Sequence, residues 1–160
     1  MGDAMARKKR QVNDDNEFYV VEIDDWETSC SFHINRDPRR LVNPGDYVEH
    51  STITLLGKII MPVLKDTSRA EILIMESLGL DDHWKDQERR NSSYSIGHLQ
   101  ILQDANKTFN MMCSVPSRSF RNVAIAAAAG KIKLASIWGT KLKWKQGWVS
   151  GINLATRQEE

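Results

Sequence analysis

The stretch from Lys107 to Arg157 holds nine basic side chains (Lys107, Arg118, Arg121, Lys131, Lys133, Lys141, Lys143, Lys145 and Arg157) and neither an aspartate nor a glutamate. Three of the chain's five tryptophans, Trp138, Trp144 and Trp148, lie in the same stretch, and residues 141–148, KLKWKQGW, interleave the two types. Cations at this density attract phosphates or carboxylates, and indole rings stack on bases or fill apolar space. Residues 1–106 carry thirteen basic and nineteen acidic groups, and Glu159 and Glu160 follow the basic stretch, so the formal net charge of +1 conceals a segregation. Segregation of this kind implies an electrostatic partner, or neutralisation of one half of the fold by the other.

Other chemistry finds less support. His33, His50, His83 and His98 are scattered, and Cys30 and Cys113 lie too far apart for a local metal knuckle, so neither metal nor cofactor is expected. There is no Gly-x-Ser-x-Gly elbow, no His-Glu-x-x-His and no phosphate-binding glycine loop. Asp24 and Asp25 are adjacent, and neighbouring side chains of a strand point to opposite faces, so they should not act as an acid/base couple. No catalytic residue is assigned, and a non-enzymatic role is expected.

The elements that position the basic residues are mostly strands. Hydrophobic residues make up 41% and charged residues 27% of 160, the balance of a single soluble globular domain. Residues 1–17, with the basic tetrad Arg7 to Arg10, have little apolar surface to bury and read as a disordered tail. Residues 18–156 then form one β-rich domain. Trp26, Thr28, Cys30, Phe32 and Ile34 alternate with polar residues, the period of a half-buried strand, which places Cys30 inward. Asn43 to Asp46 reads as a type II turn. Tyr47 to Met61 follows as a long strand with Ile53, Leu55, Gly57, Ile59 and Met61 on one face, and Pro62 ends its ladder. Ala70 to Glu76 turns Ile72 and Ile74 inward. Residues 78–93 read as a polar insertion of both charge signs. Strands resume at Tyr94 to Asp104 and Thr108 to Cys113, the latter placing Cys113 with Phe109 and Met111 in the core.

Residues 117–129 predict one α-helix, with Pro116 at the first turn, Ser114 or Ser117 as cap and Gly130 just past the end. Phe120, Val123, Ala124 and Ala127 share its packing face; Arg118, Arg121 and Ile125 lie opposite. In the last two strands, Ile132, Leu134, Ser136 and Trp138 alternate with Lys131, Lys133, Ala135 and Ile137. Likewise Leu142, Trp144, Gln146 and Trp148 alternate with Lys141, Lys143, Lys145 and Gly147. A three-residue loop at Gly139, Thr140 and Lys141 opposes Trp138 to Leu142, which turns the tryptophans inward and the lysines outward.

Seven to nine strands with short turns predict a mainly β fold, an antiparallel β-sandwich or open barrel with one packed helix. The longest apolar run, Val123 to Ala129, is far short of the ~20 residues of a membrane helix, so no membrane partner is expected. Two cysteines and a charged N-terminus point to the cytoplasm. The leading expectation is a protein-interaction module, pairing with a protein partner or with itself through a basic C-terminal surface or an exposed sheet edge. Arg118, Arg121, Lys133, Lys143 and Lys145 are its candidate binding residues. The alternative is a nucleic-acid-binding β domain using the same Lys/Arg surface. Solvated tryptophans beside the lysines would favour that alternative.

Overall fold

A computed structural model describes residues 15–34, 47–77 and 95–156. The expectations for residues 1–14 of the 1–17 tail, the 43–46 turn and the 78–93 insertion lie outside the described residues, while Asn16 and Glu17, expected in the tail, begin a strand.

Among the described residues, seven strands and one helix follow in the order β1 (Asn16–Ile34), β2 (Tyr47–Met61), β3 (Arg69–Ser77), β4 (Gly97–Ile101), β5 (Phe109–Pro116), α1 (Ser117–Ala128), β6 (Leu134–Thr140) and β7 (Gln146–Ala155). The mainly β class with one helix is as expected, but the strands close into a barrel in the order β1-β2-β3-β5-β4-β7-β6 rather than forming a sandwich or an open barrel. The sheet is also mixed. β3 runs parallel to β5, from Ala70 opposite Phe109 to Ser77 opposite Pro116, while every other pair is antiparallel. The β4–β5 hairpin folds back so that β5, not β4, meets β3, and a parallel pair results.

The barrel interior is filled by alternate residues of each strand, including Tyr19, Val21, Ile53, Leu55, Ile72, Ile74, Leu99, Phe109, Met111, Cys113, Ile137 and Val149. Cys113 is enclosed as the alternation predicts, and burial pushes its thiol up to about 12. Met61, expected on the inner face of β2, is exposed at the strand's end. Helix α1 buries Ala127 against this core, with Phe120, Val123 and Ala124 packed beside it and Ile125 exposed, as its periodicity requires. Neither serine caps it; Pro116 stands at the N-cap with no side-chain bond. Its C-terminus closes on Gly130 (φ 62°), whose N–H reaches the Ala127 carbonyl (2.8 Å) while Lys131 reaches Ala126 (3.0 Å). That pair of bonds is a Schellman motif, and glycine adopts its left-handed conformation without a Cβ clash.

The second half of β1 departs from expectation. Trp26 and Thr28 do lie on the sheet face that carries Leu55 and Ile53, which they oppose. Beyond Ile23, however, β1 leaves the β6 side and runs on beside β2, so residues 26–32 are exposed, Phe32 by 70% and Cys30 with it. Alternation reports a shared face; it does not report whether anything covers that face.

A tryptophan–lysine surface at one end of the barrel

Three connections meet at the end of the barrel opposite α1: residues 62–68 between β2 and β3, 102–108 between β4 and β5, and 141–145 between β6 and β7. Side chains tie them together. Lys107 Nζ meets Asp66 at 3.2 Å, and Lys145 Nζ donates to Gln103 Oε1 at 3.2 Å. The Ile101 N–H donates to the Lys145 carbonyl at 3.0 Å. Asp104 accepts from the Thr108 N–H (2.9 Å) and hydroxyl (2.8 Å), which holds its carboxyl below the usual range. Among the described residues, the non-glycine positions with positive φ are Asp66, Lys107, Trp144 and Lys145, and all four sit in these three connections. Left-handed backbone costs an L-residue ~1–2 kcal/mol, and such outliers gather at functional sites.

The β6–β7 connection is not the expected three-residue loop at residues 139–141. β6 continues through Thr140, and the chain reverses later, at Lys143 to Gln146, which exchange both backbone bonds (2.8 and 3.0 Å). Trp144 (φ 53°) and Lys145 (φ 65°) are the two central residues, the type I′ arrangement that usually falls to Asn-Gly. The strand faces follow suit. On β6, Ala135 and Ile137 point into the barrel and Trp138 points out; on β7, Gly147 and Val149 point in and Trp148 points out. The inward placement of the tryptophans is therefore corrected. Trp144 is 98% exposed, Trp148 60% and Trp138 46%. A bulge explains why Ile152 and Leu154 still face the core: Trp138 opposes Gly151 while Gly139 opposes Val149, so Ser150 is the extra residue and the parity of β7 changes there. The Ser150 hydroxyl donates to the Trp138 carbonyl (3.1 Å) across that bulge.

Of the five candidate binding residues, Lys143 and Lys145 flank Trp144 at this end. Lys133 precedes the other end of β6, beside Asp24 and Asp25, and Arg118 and Arg121 lie on the exposed side of α1. They are two separate groups. Lysines that were not singled out join the first: Lys65 and Lys107 line a depression with Lys145, and Lys141 lines a cleft of about 550 Å³ with Lys143. Five lysines and one carboxylate, Asp15, thus line the two hollows on either side of the turn.

Asp15 holds Lys143 Nζ at 2.9 Å, and its backbone carbonyl accepts from the Lys141 N–H at 2.6 Å. Among the described residues Lys145 has no carboxylate partner. Trp148 forms one side of the cleft, its backbone N–H donating to Thr140 Oγ1 (2.9 Å); His98, opposite it on β4, and Gln100 and Gln146 supply polar edges. Beneath, the Tyr19 hydroxyl donates to the Thr140 carbonyl at 2.8 Å. Burial, with Glu17 adding to it, pushes that phenol up to about 12, so it is a fixed neutral donor. Trp138 packs against Phe18 on the outer face (centroids 5.4 Å apart). The arrangement offers flat apolar surfaces beside unmatched positive charge. Among the described residues, no helix is long and apolar enough to cross a membrane. No family model matches the chain, and no curated protein or solved structure matches it.

Proposed function

We propose that this protein is a non-enzymatic single-strand nucleic-acid-binding β-barrel. Trp144 and Trp148 stack on bases, and Lys141, Lys143 and Lys145 contact the phosphates between them. One observation carries this proposal: Trp144 stands almost wholly in water on a strained turn, between two lysines. A large indole exposed at an energetic cost has no packing role, and stacking on a base is the use for which its neighbours' charge is suited. The placement of the tryptophans is what moves this proposal ahead of the protein-interaction module expected from sequence.

Titration of oligo(dT) and oligo(rU) by tryptophan fluorescence tests it, with the two arms separating DNA from RNA. Quenching is expected, weakening steeply between about 50 and 200 mM salt as counterions are released. Trp144→Ala should weaken binding by roughly 1–3 kcal/mol. Absence of binding to both strands at the lower salt concentration ends the proposal.

A protein partner remains the second proposal, favoured by the β1–β2 arm. Among the described residues, β1 beyond Ile23 pairs with β2 alone, and it carries the exposed Trp26 and Phe32 beside an open backbone edge. Such an edge accepts another strand. Sedimentation should then show self-association that Phe32→Asp abolishes; a wild-type chain that stays monomeric at high concentration removes self-pairing.

A further inference from the structure

The cleft beside the turn carries a finer assignment, which rests on the strand-binding proposal. We propose that it is a base pocket that takes one nucleobase of the bound strand and prefers bases bearing an exocyclic amine. Its volume, about 550 Å³, falls within the range of small-ligand sites. Gly147 and Thr140 belong to its lining; a Cβ on Gly147 would stand 3.0 Å from Thr140 Oγ1, so the glycine is what lets that threonine pack closely against β7. One side is the 60% exposed Trp148, a stacking surface indifferent to which base it receives. Lys141 and Lys143 sit at the cleft as well, where the phosphates flanking an inserted base would pass.

Selection comes from Gln100. Its Nε2 donates to Asn110 Oδ1 at 3.2 Å, and Asn110 is only 7% exposed on the neighbouring strand, directly opposite in register. The amide is therefore oriented by a cross-strand partner, and its Oε1 is left as an acceptor in the cleft. An acceptor at that point pairs with the amine of cytosine or adenine and meets an acceptor oxygen on uracil or thymine. A group fixed in advance loses little entropy on binding, so it discriminates better than a mobile surface amide.

Cytosine and uracil differ at this edge and hardly in shape, so oligo(dC) and oligo(dU) are the probes, compared near neutral pH at one salt concentration. The wild-type chain should bind oligo(dC) about two- to tenfold more tightly, the span of one net hydrogen bond. Gln100→Met, which keeps the length of the side chain and removes the acceptor, should close the gap between the two strands, weakening oligo(dC) and relieving the acceptor–acceptor contact of oligo(dU). A thermal melt checks that this variant is folded, and Gln100→Leu serves as a second variant if it is not. Equal wild-type affinity for the two strands overturns the pocket while strand binding stands. A preference that survives in the folded Met or Leu variant also overturns it. Binding of neither strand overturns the pocket together with the proposal beneath it.

Discussion

The ammonium of Lys143 lies 2.9 Å from the carboxylate of Asp15, joining the start of β1 to the β6–β7 turn across 128 positions. Both groups are substantially solvated, so the pair contributes at most about 1 kcal/mol to stability. Its larger effect falls on any polyanion, which must displace Asp15 before it can use Lys143. Asp15→Asn should therefore raise oligonucleotide affinity roughly two- to fivefold and steepen the salt slope by about 1, with little change in melting temperature. Affinity unchanged across the salt series would remove Lys143 from the phosphate track.

The turn itself should be worth stabilising at the expense of binding. Replacing Trp144 and Lys145 by Asn and Gly supplies residues that accept positive φ at both positions. The double variant should gain about 1–2 kcal/mol and a Tm higher by about 2–8 °C. Strand affinity should fall at least tenfold, since stacking and one phosphate contact go together. A lower Tm would mean that the native indole is held by contacts and not exposed at a cost.

Charge reversal separates the two cationic groups. Thr140 and Lys133 stand at opposite ends of a seven-residue strand, roughly 20 Å apart at ~3.3 Å per residue, well beyond the ~8 Å Debye length of physiological salt. Lys143→Glu with Lys145→Glu should cut oligonucleotide affinity at least tenfold. Arg118→Glu with Arg121→Glu and Lys133→Glu should change it less than about twofold. All five are exposed, so the melting temperatures should stay near wild type. Equal losses from both sets would show a long-range field rather than a local site.

Alkali should unfold the barrel in a defined window. The Cys113 thiol rises from 9.0 to about 12 on folding, and the Tyr19 phenol from 10.0 to about 12. For a raised pKa the stabilisation is complete below the unfolded value and is lost as pH climbs through the folded one. Urea midpoints should therefore hold steady to about pH 9 and fall progressively towards pH 12. Cys113→Ala, though less stable at neutral pH, should show a later onset of that fall. Asp104 acts in the opposite sense: its lowered carboxyl stabilises above the ordinary carboxylate range, and this is lost as pH drops through the folded value.

Where one hydrophobic face and one turn residue agreed, the sequence was sufficient. Phe109, Met111 and Cys113 alternate without interruption and are all buried, and α1 ends on the glycine its pattern calls for. The β6–β7 hairpin resisted for two physical reasons. Alternation groups Ala135 with Ile137 and Trp138 with Ser136, but it cannot say which group faces in, and the bulkier indole was the wrong guide. The chain then changes parity at a bulge whose extra residue is Ser150, and reverses at Trp144-Lys145, where no glycine or asparagine marks the turn. The lysine site was consequently visible only as composition. Lys65 and Lys107 reach it from turns far away in sequence, and no local pattern could have joined them to Lys145.

The seam of the barrel is Asn16 to Glu22 of β1 laid against Leu134 to Thr140 of β6. The first of the described strands is thus sealed by one of the last. During synthesis its flank stays unpaired while more than a hundred further residues emerge, and chain loops of that length are slow to close. A truncation before Leu134 would leave that flank permanently open, with Tyr19 and Val21 stripped of one neighbouring strand. Ribosome-bound or prematurely terminated chains should therefore be the aggregation-prone species of this protein, rather than the finished fold.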